Sequence, residues 1–329
     1  SHFIMKGLDM YTIGIDLGGT FVKIGLVESG KVLNFKVLPA HSEKGLRNNL
    51  PEIKDTINNL LYNSGVQITD LAGISLAFPG IVDVKHYQVL ATNDKYDDAC
   101  DLNLRLWCEL NWGVPFYMDN DTRLATIGEW ECGAAQGLNN VVMMTIGTGI
   151  GTGVVLDGRV LYGEHYQAGS LGGHFVIDYK GRKCSCGNVG CVEALSSSFF
   201  LPYIIKENPK LSASFRENAD NYDFEKIFNW ASHGDVDALI VRNECMDVWS
   251  AAIITYIHAY DPQVIVLGGG VMKSKDVILP YIRERVGKLA WCPSSVVKIL
   301  ASELGDNAAI LASEYCFKNK KRRNEILSA

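Results

Sequence analysis

Tyr11-Thr-Ile-Gly-Ile-Asp-Leu-Gly-Gly-Thr-Phe-Val-Lys-Ile-Gly-Leu-Val27 sets β-branched and other apolar residues on both sides of a Gly-Gly pair. It reads as strand, turn, strand, and Lys31–Leu38 adds a third strand. Gly18 and Gly19 let backbone amides approach an anion closely, and Thr20 adds a hydroxyl. Asp16, at the mouth of the turn, is placed to hold the waters of a metal ion. A plain hairpin needs only the glycines; an Asp ahead of Gly-Gly-Thr favours a phosphate-binding turn.

The pattern returns at Val141-Val-Met-Met-Thr-Ile-Gly-Thr-Gly-Ile-Gly-Thr-Gly-Val-Val-Leu156, again strand, glycine-rich turn, strand, with Gly147, Thr148 and Gly149 opening the turn. This second turn lacks the spacing of a dinucleotide fingerprint and the lysine of a P-loop. Two such hairpins, about 130 residues apart, read as a loose internal duplication in which each copy presents a phosphate-binding turn.

Between them, apolar residues from Leu46 to Leu61 recur at helical spacing and predict an amphipathic helix packed on the first sheet. Ala72–Phe78 is a buried strand stopped by Pro79-Gly80, and a polar segment leads into a helix over Leu102–Leu110. A short strand, Pro115–Met118, delivers Asp119-Asn120-Asp121-Thr122, and a helical run over Leu124–Ala135 follows. Asn and Asp are preferred helix N-caps, and one of these residues serves as a cap. Capping needs a single side chain, however, and three in a row at a strand end also suit a substrate cleft.

Further on, Val192–Ile205, Phe224–Ala231 and Ala238–Tyr260 carry the helical period, Val264–Leu267 and Val296–Leu300 read as strands, and Asn307–Phe317 is a last helix. Gly268, Gly269 and Gly270 follow the first of these strands. Bare backbone there would accept adenine or ribose, or would simply turn the chain tightly from strand to helix. No Pro- or Ser-rich linker interrupts the chain, so any domain boundary is a hinge inside compact structure.

The run from Gly172 to Glu193 holds Cys184, Cys186 and Cys191, three of the nine cysteines, with His174 upstream. Three thiolates and an imidazole are the ligand set of a closed tetrahedral structural zinc site, with Gly187 and Gly190 supplying the tight turns. The competing reading is a disulfide with one cysteine left over, which suits a secreted chain. The N-terminus has no apolar run after a basic start and the other cysteines are scattered singly, so a zinc knuckle is expected. Glu193, two residues past the last cysteine, reads as a carboxylate that the knuckle positions for some other purpose.

With 329 residues, 47% hydrophobic and 21% charged, the chain is long enough for two globular domains. A net charge of -6 argues against nucleic-acid binding, which leaves a basic footprint. No apolar stretch approaches the ~20 residues that span a bilayer, and a cytoplasmic location follows by default. The basic run Lys318–Arg323 reads as a solvated tail.

In order along the chain, Asp16-Leu-Gly-Gly-Thr20 with Lys23, Pro79-Gly80, Asn120-Asp121, Gly147-Thr-Gly149, His174 with the cysteine knuckle, Glu193, Gly268-Gly-Gly270 and Gly305-Asp306 resemble the motifs of the ROK family. That family groups bacterial sugar kinases, glucokinase- and fructokinase-like, with sugar-responsive repressors. The resemblance covers the chain from about Thr12 to about Tyr315, and its most specific element is the knuckle after a Gly-His pair.

The resemblance implies an α/β, two-domain actin-like ATPase (ribonuclease H-like) fold with a cleft between the domains. Residues 11–118 with a C-terminal helix at about 305–329 would form the smaller domain, and 119–304 the larger one with the knuckle. ATP and Mg2+ are implied at Asp16, Gly18, Gly19, Thr20, Lys23, Gly147, Thr148, Gly149, Gly268, Gly269 and Gly270. Asp121 looks like the catalytic carboxylate and Asn120 like a sugar-hydroxyl ligand, with Pro79 and Gly80 also on the sugar. His174 would bind zinc through one ring nitrogen while the other face of the ring addresses the sugar, and Glu193 would hold sugar hydroxyls. The resemblance also makes a homodimer plausible.

The chain departs from the family where members carry Glu-x-Gly-His. The run here is Ala168-Gly-Ser-Leu-Gly-Gly-His174, with one extra residue and Ser170 or Leu171 in place of the glutamate. Arg123, just past Asp121, is a second oddity, a long cation able to reach a phosphate, a charged sugar or solvent. The expected activity is ATP-dependent phosphorylation of a monosaccharide hydroxyl, at the 6-position of a hexose such as glucose or fructose. The alternative is a sugar-binding regulator or sensor; eleven residues ahead of Thr12 leave no room for a DNA-reading domain, so it would act through a partner. A structural ATPase of the actin or chaperone kind would need neither knuckle nor sugar carboxylates.

Overall fold

The computed structural model describes residues 10–294 and 296–318, so the expected tail beyond 318, with most of its basic run, lies outside the described residues. Strands β1 (Tyr11–Leu17) and β2 (Phe21–Glu28) pair antiparallel across the Gly18-Gly19 turn, and β3 (Lys31–Pro39) pairs antiparallel with β2. Helix α1 (Leu50–Asn63) begins later than its apolar period suggests. Pro51 sits in its first turn, where a missing N–H leaves no bond unmade, and Ile53, Ile57, Leu60 and Leu61 form its buried face.

Strand β4 (Leu71–Phe78) is buried at every position and joins β1 in parallel, as a strand covered on both faces requires. A short hairpin, β5 (Ile81–Asp83) and β6 (Gln88–Ala91), has no counterpart in the sequence prediction. Helix α2 (Leu104–Trp112) leads to β7 (Phe116–Asn120), which pairs in parallel with β4 and passes directly into α3 (Asp121–Cys132). The sheet order is β3-β2-β1-β4-β7.

The second unit repeats this plan. Strands β8 (Val141–Ile146), β9 (Ile150–Leu156) and β10 (Arg159–Val160) run antiparallel in succession. Helices α4 (Val192–Ser196), α5 (Leu201–Lys206), α6 (Ala213–Glu217), α7 (Phe224–Ser232) and α8 (Val236–Tyr260) precede β11 (Val264–Gly268). Helix α9 (Lys275–Leu289) then delivers β12 (Lys298–Ala301). The order β10-β9-β8-β11-β12, with β11 parallel to β8 and β12 parallel to β11, matches the first sheet in order and direction. Two copies of one hairpin-led unit therefore build the chain.

The single helix expected over Val192–Ile205 is two helices. Pro202 starts α5 in its first turn, and Ser198 and Phe199 in the break donate backbone N–H groups to the carbonyls of Gly147 and Thr148 at 3.0 Å each. The core of this unit gathers on Trp249, fully buried beside Phe224 and Phe228 at ring distances of 5.5 and 6.4 Å, with its indole N–H on Ser196 O at 3.1 Å.

Helix α10 (Ala308–Lys318) returns to the first unit. A Cβ at Gly14 would stand 2.7 Å from the carbonyl oxygen of Ile310, so α10 lies on bare backbone of β1, and Thr12 and Ser313 join their hydroxyls across the contact at 2.7 Å. By packing, the first unit holds the described residues up to Gln136, Tyr162–Gln167 and those from Asp306 on; the second holds Gly137–Leu161 and Ala168–Gly305. The division falls after α3 rather than at 118/119, because α3 packs on α10.

Candidate functional site

In the first unit, β7 ends at Asn120 and α3 begins at Asp121. Asn120 is the N-cap: its Oδ1 accepts from Arg123 N at 3.1 Å while its Nδ2 donates to Gly80 O at 2.9 Å. The Pro79-Gly80 stop and the Asn120-Asp121 junction are thus one local structure. Asp121 Oδ1 accepts from Thr122 N at 2.7 Å, but burial outweighs that bond and raises the carboxyl above its ordinary range, while the Lys95 ammonium pulls it back down.

Arg123 reaches neither phosphate, sugar nor solvent. It is fully buried, with Nη1 3.0 Å from Asp119 Oδ1, Nη2 donating to Tyr166 O at 3.1 Å, and its guanidinium carbon 4.5 Å from the centre of the Tyr162 ring. Tyr162 and Tyr117 donate their hydroxyls to Asp119 Oδ2 at 2.8 and 3.1 Å. This closed network holds the end of β7 and the start of α3 from beneath.

Asp16, the last residue but one of β1, is close enough to this junction to feel the charge of Asp121. Burial first, then the charges of Asp121 and Asp306, push its carboxyl up to about 7 against the pull of Lys23. Lys23 itself pairs with Asp306 at 2.9 Å. Asp121 and Asp306 thus both act on Asp16, and the two lysines nearby, Lys23 and Lys95, leave the three carboxylates with a net negative charge, a setting that favours a divalent cation. At the turn, the carbonyls of Gly18 and Gly19 accept from Tyr96 Oη at 2.6 Å and Ser42 Oγ at 3.0 Å, so the turn's own oxygens are engaged and present less repulsion to an anion. Tyr96 and Lys95 are absent from the sequence prediction; Tyr96 lies 78 positions from Gly18, and no local pattern links them.

In the second unit, the ligand atoms of His174, Cys184, Cys186 and Cys191 lie within 4.8 Å of one another. Cys186 Sγ and Cys191 Sγ are 3.7 Å apart, and Cys184 Sγ and His174 Nδ1 3.6 Å apart. A disulfide would bring two sulfurs to about 2 Å, whereas a tetrahedron with bonds of ~2.3 Å to sulfur has edges of about 3.8 Å. Burial, then neighbouring thiols, push the Cys191 thiol far up, so a cation is needed to hold these sulfurs as thiolates. Gly190 has φ of 66°, and a side chain there would overlap Asp178 O.

Glu193, the second residue of α4, lies 7% exposed with Oε2 accepting from Ile150 N at 2.8 Å. A Cβ on Gly149 would stand 2.6 Å from the same oxygen. The knuckle, Glu193 and the Gly147-Thr148-Gly149 turn therefore form one assembly, reinforced by the Ser198 and Phe199 amides described above. The Ser170-Leu171 stretch is bridged by Thr152, whose Oγ1 donates to Gly169 O at 2.7 Å and accepts from Gly172 N at 2.8 Å. Gly173 backs directly onto Ile150 O, which leaves no room for a side chain. Of the three glycines after β11, Gly269 has φ of 93° and abuts Ile146 O, which the strand-to-helix connection requires; Gly268 lies in the strand, and Gly270 faces open space.

Comparison with known proteins follows the same outline. The family model described as the ROK family matches residues 12–320. Over 316 residues the chain is 29% identical to a glucokinase of Thermotoga maritima, covering 94% of this chain and 97% of that one. It is 27% identical to the xylose repressor of Bacillus spizizenii, covering 92% of this chain and 75% of the repressor. A ROK family glucokinase from Streptomyces griseus, solved with glucose and AMPPNP, superposes with a TM-score of 0.79 at 24% identity, covering 94% and 99% of the two chains. The fold is thus the two-domain actin-like ATPase fold.

Proposed function

The chain belongs to the ROK family, and from that premise we propose that it is an ATP-dependent sugar kinase, transferring the γ-phosphoryl group of ATP to a monosaccharide hydroxyl, the 6-hydroxyl of a hexose such as glucose. The observation that carries this reading is Asp121, a half-buried carboxylate with a raised pKa at a strand-to-helix junction, in electrostatic contact with Asp16 beside a Gly-Gly-Thr turn. Phosphoryl transfer asks a protein for positioning, for neutralisation of charge, and for a group that takes the proton of the attacking hydroxyl. A carboxylate whose pKa is raised toward neutrality is a better base than a solvated one.

In this reading Asp121 accepts the hydroxyl proton while the sugar oxygen bonds to the γ-phosphorus and ADP leaves. Asn120, held by Gly80, turns its remaining amide hydrogen and lone pair to sugar hydroxyls, with Pro79 and Gly80 bordering them. Asp16, Gly18, Gly19, Thr20 and Lys23 take the phosphates, and Gly147, Thr148, Gly149, Gly268, Gly269 and Gly270 serve the rest of the nucleotide. Mg2+, which suits the carboxylate-rich surroundings of Asp16, would be held there and would neutralise phosphate charge. Zinc suits the spacing of His174, Cys184, Cys186 and Cys191 and would stabilise the knuckle rather than enter the reaction. His174 and Glu193, fixed by that knuckle, contact the sugar.

A sugar-binding regulator is the second reading, favoured by Ser170 or Leu171 standing where the family carries a glutamate and by the likeness to a xylose repressor. Mass spectrometry of mixtures of the protein, Mg-ATP and a panel of hexoses, amino sugars, N-acylated sugars and pentoses decides between them. A sugar phosphate formed in step with ADP supports the kinase; sugar binding without any phosphorylated product supports the regulator.

A further inference from the structure

Lys95 stands over the Gly18-Gly19 turn. A Cβ built on Gly19 would lie 2.9 Å from its Cε and 3.2 Å from its Nζ, so the side chain occupies the face that the glycine leaves bare. The same ammonium is close enough to act on the Asp121 carboxylate. No hydrogen bond or ion pair holds it among the described residues. A lysine keeps its rotamer freedom by extending into water, and this one instead folds across a turn with no hydrogen bond to hold it.

The backbone beneath it is built to hold that position. Asp94 and Tyr96, on either side, both have φ of 55°, a left-handed conformation uncommon for residues with side chains and retained chiefly where surrounding structure imposes it. Tyr96, fully buried, bonds through its hydroxyl to Gly18 O at 2.6 Å and through its amide to Ser42 O at 2.9 Å. The Asp98 carboxylate accepts from the amides of Leu46 and Arg47. A strained, well-tethered loop thus presents a cation between a glycine turn and the half-buried Asp121 carboxylate.

We propose that Lys95 is a catalytic ligand of the transferred phosphoryl group: its ammonium binds non-bridging oxygens of the ATP γ-phosphate at the Gly18-Gly19 turn. This rests on the kinase reading given above. As the acceptor oxygen bonds to phosphorus and the bridging bond to ADP breaks, the acceptor proton goes to Asp121, the electron pair leaves with ADP, and Lys95 keeps all its protons. Charge on the equatorial oxygens is thereby matched throughout the transfer.

Lys95→Met and Lys95→Arg, each confirmed folded by its melting curve, test the assignment. Lys95→Met is expected to lower kcat by about 10²- to 10³-fold with the sugar KM unchanged, and Lys95→Arg to recover part of the loss. In calorimetric titrations Lys95→Met should weaken ATP by about tenfold and leave ADP unaltered, since only ATP carries the γ-phosphate. Unchanged kcat, a defect confined to the sugar KM, or equal weakening of ATP and ADP would each overturn the proposal. If the wild-type protein phosphorylates no sugar, the kinase reading fails, and the ATP-against-ADP comparison still decides whether Lys95 is a γ-phosphate ligand.

Discussion

Arg123 holds a guanidinium nitrogen 3.0 Å from Asp119 Oδ1 with both side chains shut off from water, and the pair brackets Asn120 and Asp121 in the sequence. Removing one partner leaves the other charge buried and uncompensated. Arg123→Met is therefore expected to cost about 3–5 kcal/mol in urea unfolding, Asp119→Asn a similar amount, and the double variant clearly less than their sum. A loss below about 1 kcal/mol for Arg123→Met would mean that the network of Tyr117, Tyr162 and Tyr166 O supports the junction without it.

The stability of the protein without nucleotide should carry a mark of Asp16. Its folded pKa, about 7, lies above the unfolded 3.8, so between those values the folded state keeps a proton that the unfolded state has lost. Stability from this group falls as pH rises through that window, by up to about 1.4 kcal/mol per pH unit. Asp16→Asn should match wild type near pH 4 and exceed it near pH 8, with Mg2+ narrowing the difference. Parallel pH curves for the two proteins would refute the assignment.

The knuckle should bind zinc at one ion per chain, read by elemental analysis of protein purified without chelator. Cys191→Ala should lose that zinc and melt several degrees lower, while Cys100→Ala, which changes a cysteine of the other unit, keeps it. Equal zinc in both variants would place the metal elsewhere.

Gly149 and Glu193 should behave as a unit. Adding a methyl at Gly149 drives into Glu193 Oε2, so Gly149→Ala should lower kcat/KM by about 10- to 100-fold through displacement of that turn. Combined with Glu193→Asp, which withdraws the oxygen, the second substitution should cost less than it does alone. Strict additivity would show the two to be independent.

The glycine-turn hairpins and the cysteine cluster were the parts of the chain most legible locally. The hairpins at 11–28 and 141–156 carry apolar residues around glycines and read as a loose internal duplication; the structure adds that the two sheets share one strand order. The thiols that converge within a few residues of chain were equally visible. Helix α9 escaped notice even though Ile278, Ile282 and Val286 keep a four-residue spacing, because Pro280 interrupts the run. The break at 197–200 was hidden because the apolar period continues across it; its cause is a pair of hydrogen bonds to a turn some fifty residues upstream.

Site residues whose meaning depends on distant partners were the least legible. Arg123 reads as a cation for a phosphate, a charged sugar or solvent until Asp119 and the Tyr166 carbonyl, 43 positions on, are seen beneath it. Asn120 reads as either cap or ligand, and the structure uses it as a cap with hydrogen-bonding capacity to spare. Glu193 reads as a carboxylate that the knuckle positions for another purpose, and its partner Ile150 N, 43 positions away, which engages one of its oxygens, has no local signal.

In the proposed reaction Asp121 takes the proton of a sugar hydroxyl during transfer from ATP. The most direct measurement compares wild type and Asp121→Asn with Mg-ATP and the sugar that supports turnover, following ADP release alongside calorimetric sugar binding. A drop in kcat of about 10²- to 10⁴-fold with sugar affinity retained is the predicted result. Turnover by Asp121→Asn at the wild-type rate would contradict the account and send the search for the base to another residue.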